Sequence, residues 1–386
     1  MNNLKVIQLL PELNIGGVER GTKDFSKFLV ENGHKSIVIS NGGIFENDIV
    51  NHGAKHISLP IHKKSLFSFF LSNKLKTIYE KEKPDIVHVR SRMPAWINYF
   101  AFKKLTKKPI LVSTFHGLYS TPIYSQVMSK VDHVIAISNT VKTYILNTYN
   151  VPKDKITTIP RGCEEDVFNQ DILPDSWLDN WYEEYPYTKD KIILTLPTRI
   201  SAWKGIDSFI ELIAMLDDDR FHGLVVGPTS KSKQRYLNNL KDKISALGLT
   251  TRITFTGSRN DIVNIYKLSD VVFNLSIKPE PFGRTTIEAI SCGSKVIGWN
   301  HGGTKEILED LYPSGLVTLN DINELKDRVL EVSKVDYPYP NKNTFTSKGD
   351  RVRSELGGWD STFKGEQWLT FSIYIPNNYK TFRLRN

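Results

Sequence analysis

The stretch Glu280-Pro281-Phe282-Gly283-Arg284-Thr285-Thr286-Ile287-Glu288-Ala289, followed by Cys292-Gly293 and then Gly302-Gly303-Thr304-Lys305-Glu306, decides how this chain is read. Two carboxylates bracket a Pro-Phe-Gly turn, the turn opens a helix, and a second Gly-Gly turn with its own Glu306 follows. Immediately upstream, Val271-Val272-Phe273-Asn274-Leu275 is an apolar run of strand length. A strand that ends in such a turn presents the free N–H groups of a helix start at its carboxyl end, where open parallel sheets bind phosphorylated ligands. Were the segment helical throughout, Glu280 and Glu288 would sit about 12 Å apart along the axis. One small hydroxylated ring cannot bridge that span. Two rings joined by a diphosphate can, which points to a sugar nucleotide.

Working outward, short apolar runs alternate with helix-length segments. Strands are expected at Lys5–Leu10, Ser36–Ile39, Asp85–Val89, Ile110–Thr114 and His133–Ile137. They resume at Ile192–Leu196, Gly223–Val226, Ile253–Phe255, Val271–Leu275 and Lys295–Ile297. Buried strands separated by helices belong to parallel α/β sheets covered on both faces. Two such series are present, so the expected fold is α/β with two Rossmann-like, doubly wound parallel-sheet domains. Their expected bounds are 1–168 and 191–336, joined by a connector at 169–190. Asp171–Asp190 carries Pro174, Pro186 and two Trp with no clear period, and residues 337–386 form an atypical tail that belongs to neither series.

A chain of 386 residues is too long for one ordinary core, which agrees with two domains. Its 40% hydrophobic and 24% charged residues are ordinary for a globular protein and exclude a disordered or fibrous class. No apolar run approaches the roughly 20 residues that span a bilayer. The sequence runs from Met1-Asn2-Asn3 straight into a strand without a signal-peptide pattern, so a cytoplasmic location is expected. Cys163 and Cys292 are the only cysteines, which argues against a disulfide framework or a thiolate metal site. The formal net charge of +9 implies an anionic partner surface: membrane lipid, a phosphorylated glycan or nucleic acid. The segment His62–Lys76 has basic ends and an aromatic middle, and reads either as an interfacial membrane helix or as a surface helix packed on its own sheet.

Other strand ends carry candidate chemistry. After the first strand come Gly16-Gly17-Val18-Glu19, where the glycine pair permits close backbone approach to a ligand at a helix start. A simple tight turn is the equally plain alternative. Ser113-Thr114-Phe115-His116-Gly117 places His116 at a strand's carboxyl end, as a hydrogen-bond donor, an acid or base, or a packing residue. Ser138 reads as the N-cap of the helix that follows it. Arg199 and Lys204 lie five apart across a strand end, where a planar fork and a point charge together can clamp a diphosphate. Otherwise they are two solvated loop charges. Arg90, Arg92, Lys63 and Lys64 are candidate acceptor or membrane contacts on the strength of the basic balance alone.

Taken in order, these motifs resemble the retaining glycosyltransferases of the GT-B fold in the GT4-type group. The resemblance rests on Gly16-Gly17-Val18-Glu19, His116-Gly117, Arg161-Gly162, Arg199 with Lys204-Gly205, and the Glu280–Glu288 spacing of the E-x7-E motif. It covers about residues 4–335. The finer flavour around His88–Trp96 and Phe115–Ser120 is similar to bacterial enzymes that extend lipopolysaccharide core or related surface glycans.

The resemblance implies a nucleotide-diphosphate-sugar donor, a glycan or glycolipid acceptor, no metal and no cofactor, and no nucleic acid. It implies that Arg199 and Lys204 neutralise the diphosphate, that Glu280 holds donor-sugar hydroxyls, and that Glu288 holds the ribose. Backbone near Phe282 and Gly283 meets the sugar or a phosphate, Gly16 and Gly17 admit the phosphates, and His116 contacts the donor sugar near the reacting carbon. A location at the inner face of the cytoplasmic membrane follows from the acceptor. A sugar-nucleotide epimerase on the same fold, or a non-catalytic nucleotide-sugar or glycan binder, are the competing readings. Relatives usually end in a helix that crosses back to the first domain, and residues 337–386 depart from that pattern.

Overall fold

The computed structural model describes residues 3–340 apart from 15, 64–69, 165 and 335, together with the backbone of 368–375 and 378–385. Two compact units are built on residues 1–160 and 161–348. The first contains β1 (Lys5–Leu9), α1 (Gly17–Glu31), β2 (Lys35–Ser40), α2 (Glu46–Asn51), β3 (Lys55–Ser58), α3 (Leu71–Glu82), β4 (Ile86–Val89), α4 (Arg92–Phe102), β5 (Ile110–Phe115), α5 (Pro122–Ser125), β6 (His133–Ala136), α6 (Asn139–Thr148) and β7 (Ile156–Thr158). Every strand pair is parallel, in the order β3-β2-β1-β4-β5-β6-β7. Strand order therefore reverses between β1 and β4, which is where an open sheet offers a ligand crevice. Ser138 caps α6 as its sequence position implies, its hydroxyl accepting from the Val141 N–H at 3.0 Å.

The second unit contains α7 (Asp175–Glu184), β8 (Ile192–Pro197), α8 (Ile206–Leu216), β9 (Phe221–Val226), α9 (Gln234–Ala246), β10 (Ile253–Gly257), α10 (Ile262–Leu268), β11 (Val271–Asn274), α11 (Arg284–Ser291), β12 (Lys295–Trp299), α12 (Gly302–Leu311), β13 (Leu316–Val317) and α13 (Ile322–Val332). Its strands are again parallel, ordered β10-β9-β8-β11-β12-β13, with the reversal between β8 and β11. β8, β11 and α8 bury Leu194, Leu196, Phe273 and Phe209, and the last two meet edge to face at 5.4 Å. Each such side chain contributes about 2–3 kcal/mol of transfer free energy, which makes the strand ends a rigid platform.

Residues 169–190, expected to be a connector, carry the helix α7. Trp177, Trp181 and Tyr185 recur every four residues and form its apolar stripe. Trp181 is buried against Ile193, Leu224 and Ile265, and its indole N–H donates to Thr188 Oγ1 at 2.9 Å. Pro174 and Pro186 stand at the helix ends, where proline is tolerated, so they bound the helix instead of breaking it.

Near the chain's end, β14 (Trp368–Ile375) pairs antiparallel with β15 (Asn378–Arg385). Within the atypical tail, Leu369, Phe371, Ile373 and Ile375 alternate with Thr370, Ser372 and Tyr374, which is strand periodicity. Of the basic–aromatic segment His62–Lys76, residues 64–69 lie outside the described part. The remainder enters α3, which buries Ser72, Leu75 and Tyr79, and Tyr79 donates to Asn98 Oδ1 of α4 at 2.6 Å. Among the described residues no helix is long and apolar enough to cross a membrane.

Candidate active site

The strongest cluster of candidate residues lies at the carboxyl edge of the second sheet, at its point of strand-order reversal. β8 ends at Pro197 and hands on to Arg199 and a short turn, Ala202–Lys204. Gly205 closes that turn at φ 75°, in the left-handed region, and a Cβ there would collide with the Leu275 carbonyl oxygen. Glycine thus lets the Lys204 turn lie against the end of β11. The Ile277 N–H donates to the Trp203 carbonyl at 2.9 Å and ties the two loops together.

Across this seam the Lys204 ammonium pairs with Glu280 Oε1. Ser276 donates to the same oxygen at 2.6 Å, and Glu280 is only 9% exposed. Both cations sit over the indole of Trp203, Lys204 Nζ at 4.2 Å from the ring centroid and the Arg199 guanidinium at 5.7 Å. Arg199 is otherwise exposed. An exposed fork and a held ammonium on one aromatic platform suit a diphosphate.

Phe282 and Gly283 follow. Gly283 is the N-cap of α11 at φ 99°, so the helix begins at Arg284 and residues 280–283 are loop. The span of about 12 Å expected for Glu280 and Glu288 assumed a continuous helix, and this loop removes that premise. Glu288, one turn into α11, is buried. It accepts from the Tyr266 hydroxyl at 3.2 Å and from Arg284 Nε at 3.2 Å. Burial, together with that carboxylate, pushes the Tyr266 phenol well above its ordinary range, so Tyr266 is a fixed donor.

The Gly302-Gly303 turn packs behind the loop. The Gly303 N–H donates to the Glu280 carbonyl at 2.7 Å, and a Cβ on Gly303 would strike the Phe282 backbone. His301 and Trp299 contact the carbonyls of Ser276 and Leu275 at 2.7 and 3.0 Å. Ser276, Trp203 and Tyr266 went unrecognised in the sequence, although Ser276 lies four residues before Glu280, within reach of it.

In the first unit, Gly16 is the N-cap of α1 and Gly17 its first residue, at the carboxyl end of β1. Glu19, in the first turn, folds its carboxylate back over Gly16. His116 follows β5, is half-buried, and its backbone N–H donates to the Tyr119 hydroxyl at 3.3 Å. Arg92 opens α4; its Nη1 donates to Thr121 Oγ1 at 3.1 Å and its guanidinium lies 4.8 Å from the Tyr119 ring centroid. Lys63 is exposed, and Lys64 lies outside the described residues. Arg90, expected as an acceptor or membrane contact, is 7% exposed and donates to the buried Gln8 at 2.8 Å. A guanidinium engaged in the sheet in this way is not a surface cation.

Comparison with known proteins places this geometry. Residues 15–167 match the model described as Glycosyltransferase Family 4, and residues 179–346 match Glycosyl transferases group 1. A crystal structure of a glycosyltransferase from Rickettsia africae ESF-5 is 32% identical, covers 86% of this chain and 88% of its own, and superposes with a TM-score of 0.77. The chain belongs to glycosyltransferase family 4. Other relatives of this family 4 glycosyltransferase are more distant. The Bacillus anthracis N-acetyl-α-D-glucosaminyl L-malate synthase is 23% identical over 89% of this chain and 90% of its own length. Anabaena HepE, solved in complex with UDP and glucose, shares the fold at a TM-score of 0.72 and 21% identity, covering 85% of this chain and 89% of its own. The fold is GT-B, with two Rossmann-like parallel-sheet domains.

Proposed function

We propose that this family 4 enzyme transfers a sugar, with retention at the anomeric carbon, from a nucleoside-diphosphate donor to a glycan or glycolipid acceptor in the assembly of lipopolysaccharide or another cell-surface polysaccharide. The observation that carries the donor half is the Lys204–Glu280 pair standing across the strand reversal, beside the Gly283-capped start of α11. Cation, acceptor oxygens and free helix N–H groups there meet the phosphate, the hydroxyls and the second phosphate of one ligand. Anabaena HepE has been solved in complex with UDP-glucose, a ligand of this class.

Breaking the sugar–phosphate bond leaves negative charge on the diphosphate. Arg199 and Lys204 stabilise that charge as it develops, which is the dominant electrostatic contribution in such reactions. Glu280 turns from Lys204 to the donor-sugar hydroxyls, Glu288 holds the ribose, and the Phe282–Gly283 backbone meets the sugar or a phosphate. In the first domain, Gly16 and Gly17 admit the phosphates and His116 contacts the sugar near its reacting carbon. Retention, with no carboxylate nucleophile assigned to the first domain's crevice, favours attack by the acceptor on the face the diphosphate leaves.

The acceptor half rests on the net charge of +9, which suits an anionic glycan or an anionic membrane surface at the inner face of the cytoplasmic membrane. Arg92, Lys63 and Lys64 are the proposed contacts. The testing experiment is a thermal-shift screen against UDP-, GDP-, ADP- and CMP-sugars, because a donor at 100 times its Kd adds about 2.7 kcal/mol. A matching donor raises Tm in wild type and not in Lys204→Ala. No response to any nucleotide sugar refutes the donor class. Sugar conversion without acceptor refutes transfer in favour of epimerisation.

A further inference from the structure

Arg90 is a buried cation in the first sheet, placed where β1 and β4 part. Its backbone N–H continues the β4 ladder, donating to the Leu9 carbonyl at 2.9 Å. Its Nη1 donates to Gln8 Oε1 at 2.8 Å, and Gln8 in turn donates through Nε2 to the Thr22 carbonyl of α1 at 3.3 Å. Thr22 closes the chain, its hydroxyl donating to the Val18 carbonyl in the first turn at 2.8 Å. A continuous set of hydrogen bonds thus runs from the end of β4, through the middle of β1, into the turn of α1 that carries Gly16 and Gly17.

Charge follows the same route. Among the described residues Arg90 makes no ion pair within 4 Å, and its Nε meets no partner. The carboxylates that compensate it at longer range are Asp24 and Glu19, both on α1, while burial holds the guanidinium down to about 10. It remains charged at neutral pH, so its attraction for α1 persists in a setting that screens it little. Removing a buried partner from such a network is expensive, and the members act as one unit.

We propose that Arg90 and Gln8 are positioning residues for transfer: they anchor α1 to the sheet and so fix where the Gly16–Gly17 turn stands. The inference rests on the proposed role of that turn in admitting the donor phosphates. Most of the proposed donor contacts lie on the second domain, so the pair is expected to act mainly on the chemical step and little on donor affinity.

Arg90→Met and Gln8→Met test this by steady-state kinetics, donor titration and thermal melting of the full chain. The expected result for each is a fall in kcat of at least 10-fold with donor Kd within about 2-fold of wild type. The double variant is expected to be no worse than either single one, because both break the same connection. Arg90→Lys, which restores charge without the fork, recovers part of kcat. Wild-type kcat in Arg90→Met overturns the proposal, as does loss of kcat, donor affinity and Tm together in both single variants, which marks a merely structural role. Additive losses in the double variant also overturn it. A failure of the donor assignment itself is distinguishable, since wild type then binds no nucleotide sugar.

Discussion

Lys204 and Ser276 converge on one oxygen of Glu280: the ammonium pairs with Oε1, and the hydroxyl donates to it at 2.6 Å. The cation and the carboxylate proposed to serve opposite ends of the donor thus neutralise each other. Their side chains are 18% and 12% exposed, so neither charge is left bare in a poorly solvated place. In the proposed mechanism donor binding separates them, and the diphosphate and sugar hydroxyls then supply each with a new partner.

Lys204→Ala is therefore expected to lower transfer by at least about 100-fold, the scale seen when one group stabilising a developing oxyanion is removed. Glu280→Ala is expected to do the same through loss of sugar orientation. Ser276 and the 276–280 loop retain their backbone ties to α12 in both, so circular dichroism melts should stay close to wild type. Turnover near wild type in either variant removes these two residues from the proposed mechanism.

Gly205→Ala probes the scaffold beneath the pair. The position has φ 75°, and its new methyl would press on the Leu275 carbonyl, which belongs to backbone and cannot rotate away. The strain of a left-handed alanine is on the order of 1 kcal/mol, and displacement of the Lys204 turn adds to it. The expected outcome is a Tm lower by several degrees and a donor-bound state that is lost even at saturating nucleotide sugar. Gly248→Ala is the control, because φ there is 69° but nothing lies within 4 Å of the added carbon. It should lower Tm by strain alone and leave donor binding intact.

These positions also show how much was legible beforehand. The two sheets and their strand-end motifs follow from the spacing of apolar runs, because Val271–Phe273 and its counterparts are buried on both faces of a sheet. Within the two large sheets the strands not expected from sequence are β3, with Lys55-His56-Ile57-Ser58, β7, with Ile156-Thr157-Thr158, and β13, with Leu316-Val317. All three are edge strands of four, three and two residues, too short to carry a pattern. At the site, the charged residues at strand ends were readable, whereas Trp203 and Tyr266 were not, since an aromatic that orients a cation or a carboxylate looks in sequence like any other core residue. The burial of Arg90 was illegible for the converse reason. Net charge says nothing about which arginines are buried, and only the pairing of β1 with β4 reveals Gln8 beside it.

Glu288→Gln addresses the proposed ribose contact. The carboxylate accepts from Tyr266 and Arg284, and an amide keeps the shape while replacing one acceptor oxygen by a donor. Donor Kd is expected to rise about 10-fold, equivalent to about 1.4 kcal/mol, while kcat at saturating donor changes little. A fall in kcat at unchanged Kd would place Glu288 nearer the reacting sugar than the ribose.

His222, in β9, supplies a pH prediction for the second domain. Its ring is buried and lies 2.9 Å from Thr254 Oγ1. Burial, aided by the nearby charges of Lys191 and Arg252, lowers its pKa to about 4. The unfolded chain, with a pKa near 6.5, binds a proton between those two values while the native protein does not. Stability is therefore full above about pH 6.5 and falls as pH drops toward 4, by about 3 kcal/mol at the limit. His88 and His133 are shifted downward by burial as well, so they steepen the same fall. His222→Gln offers Thr254 a hydrogen-bonding amide without a titrating ring. Its Tm should decline less than wild type between pH 7 and pH 4.5, and an unchanged decline would mean that His222 is already protonated, or solvated, in the native domain.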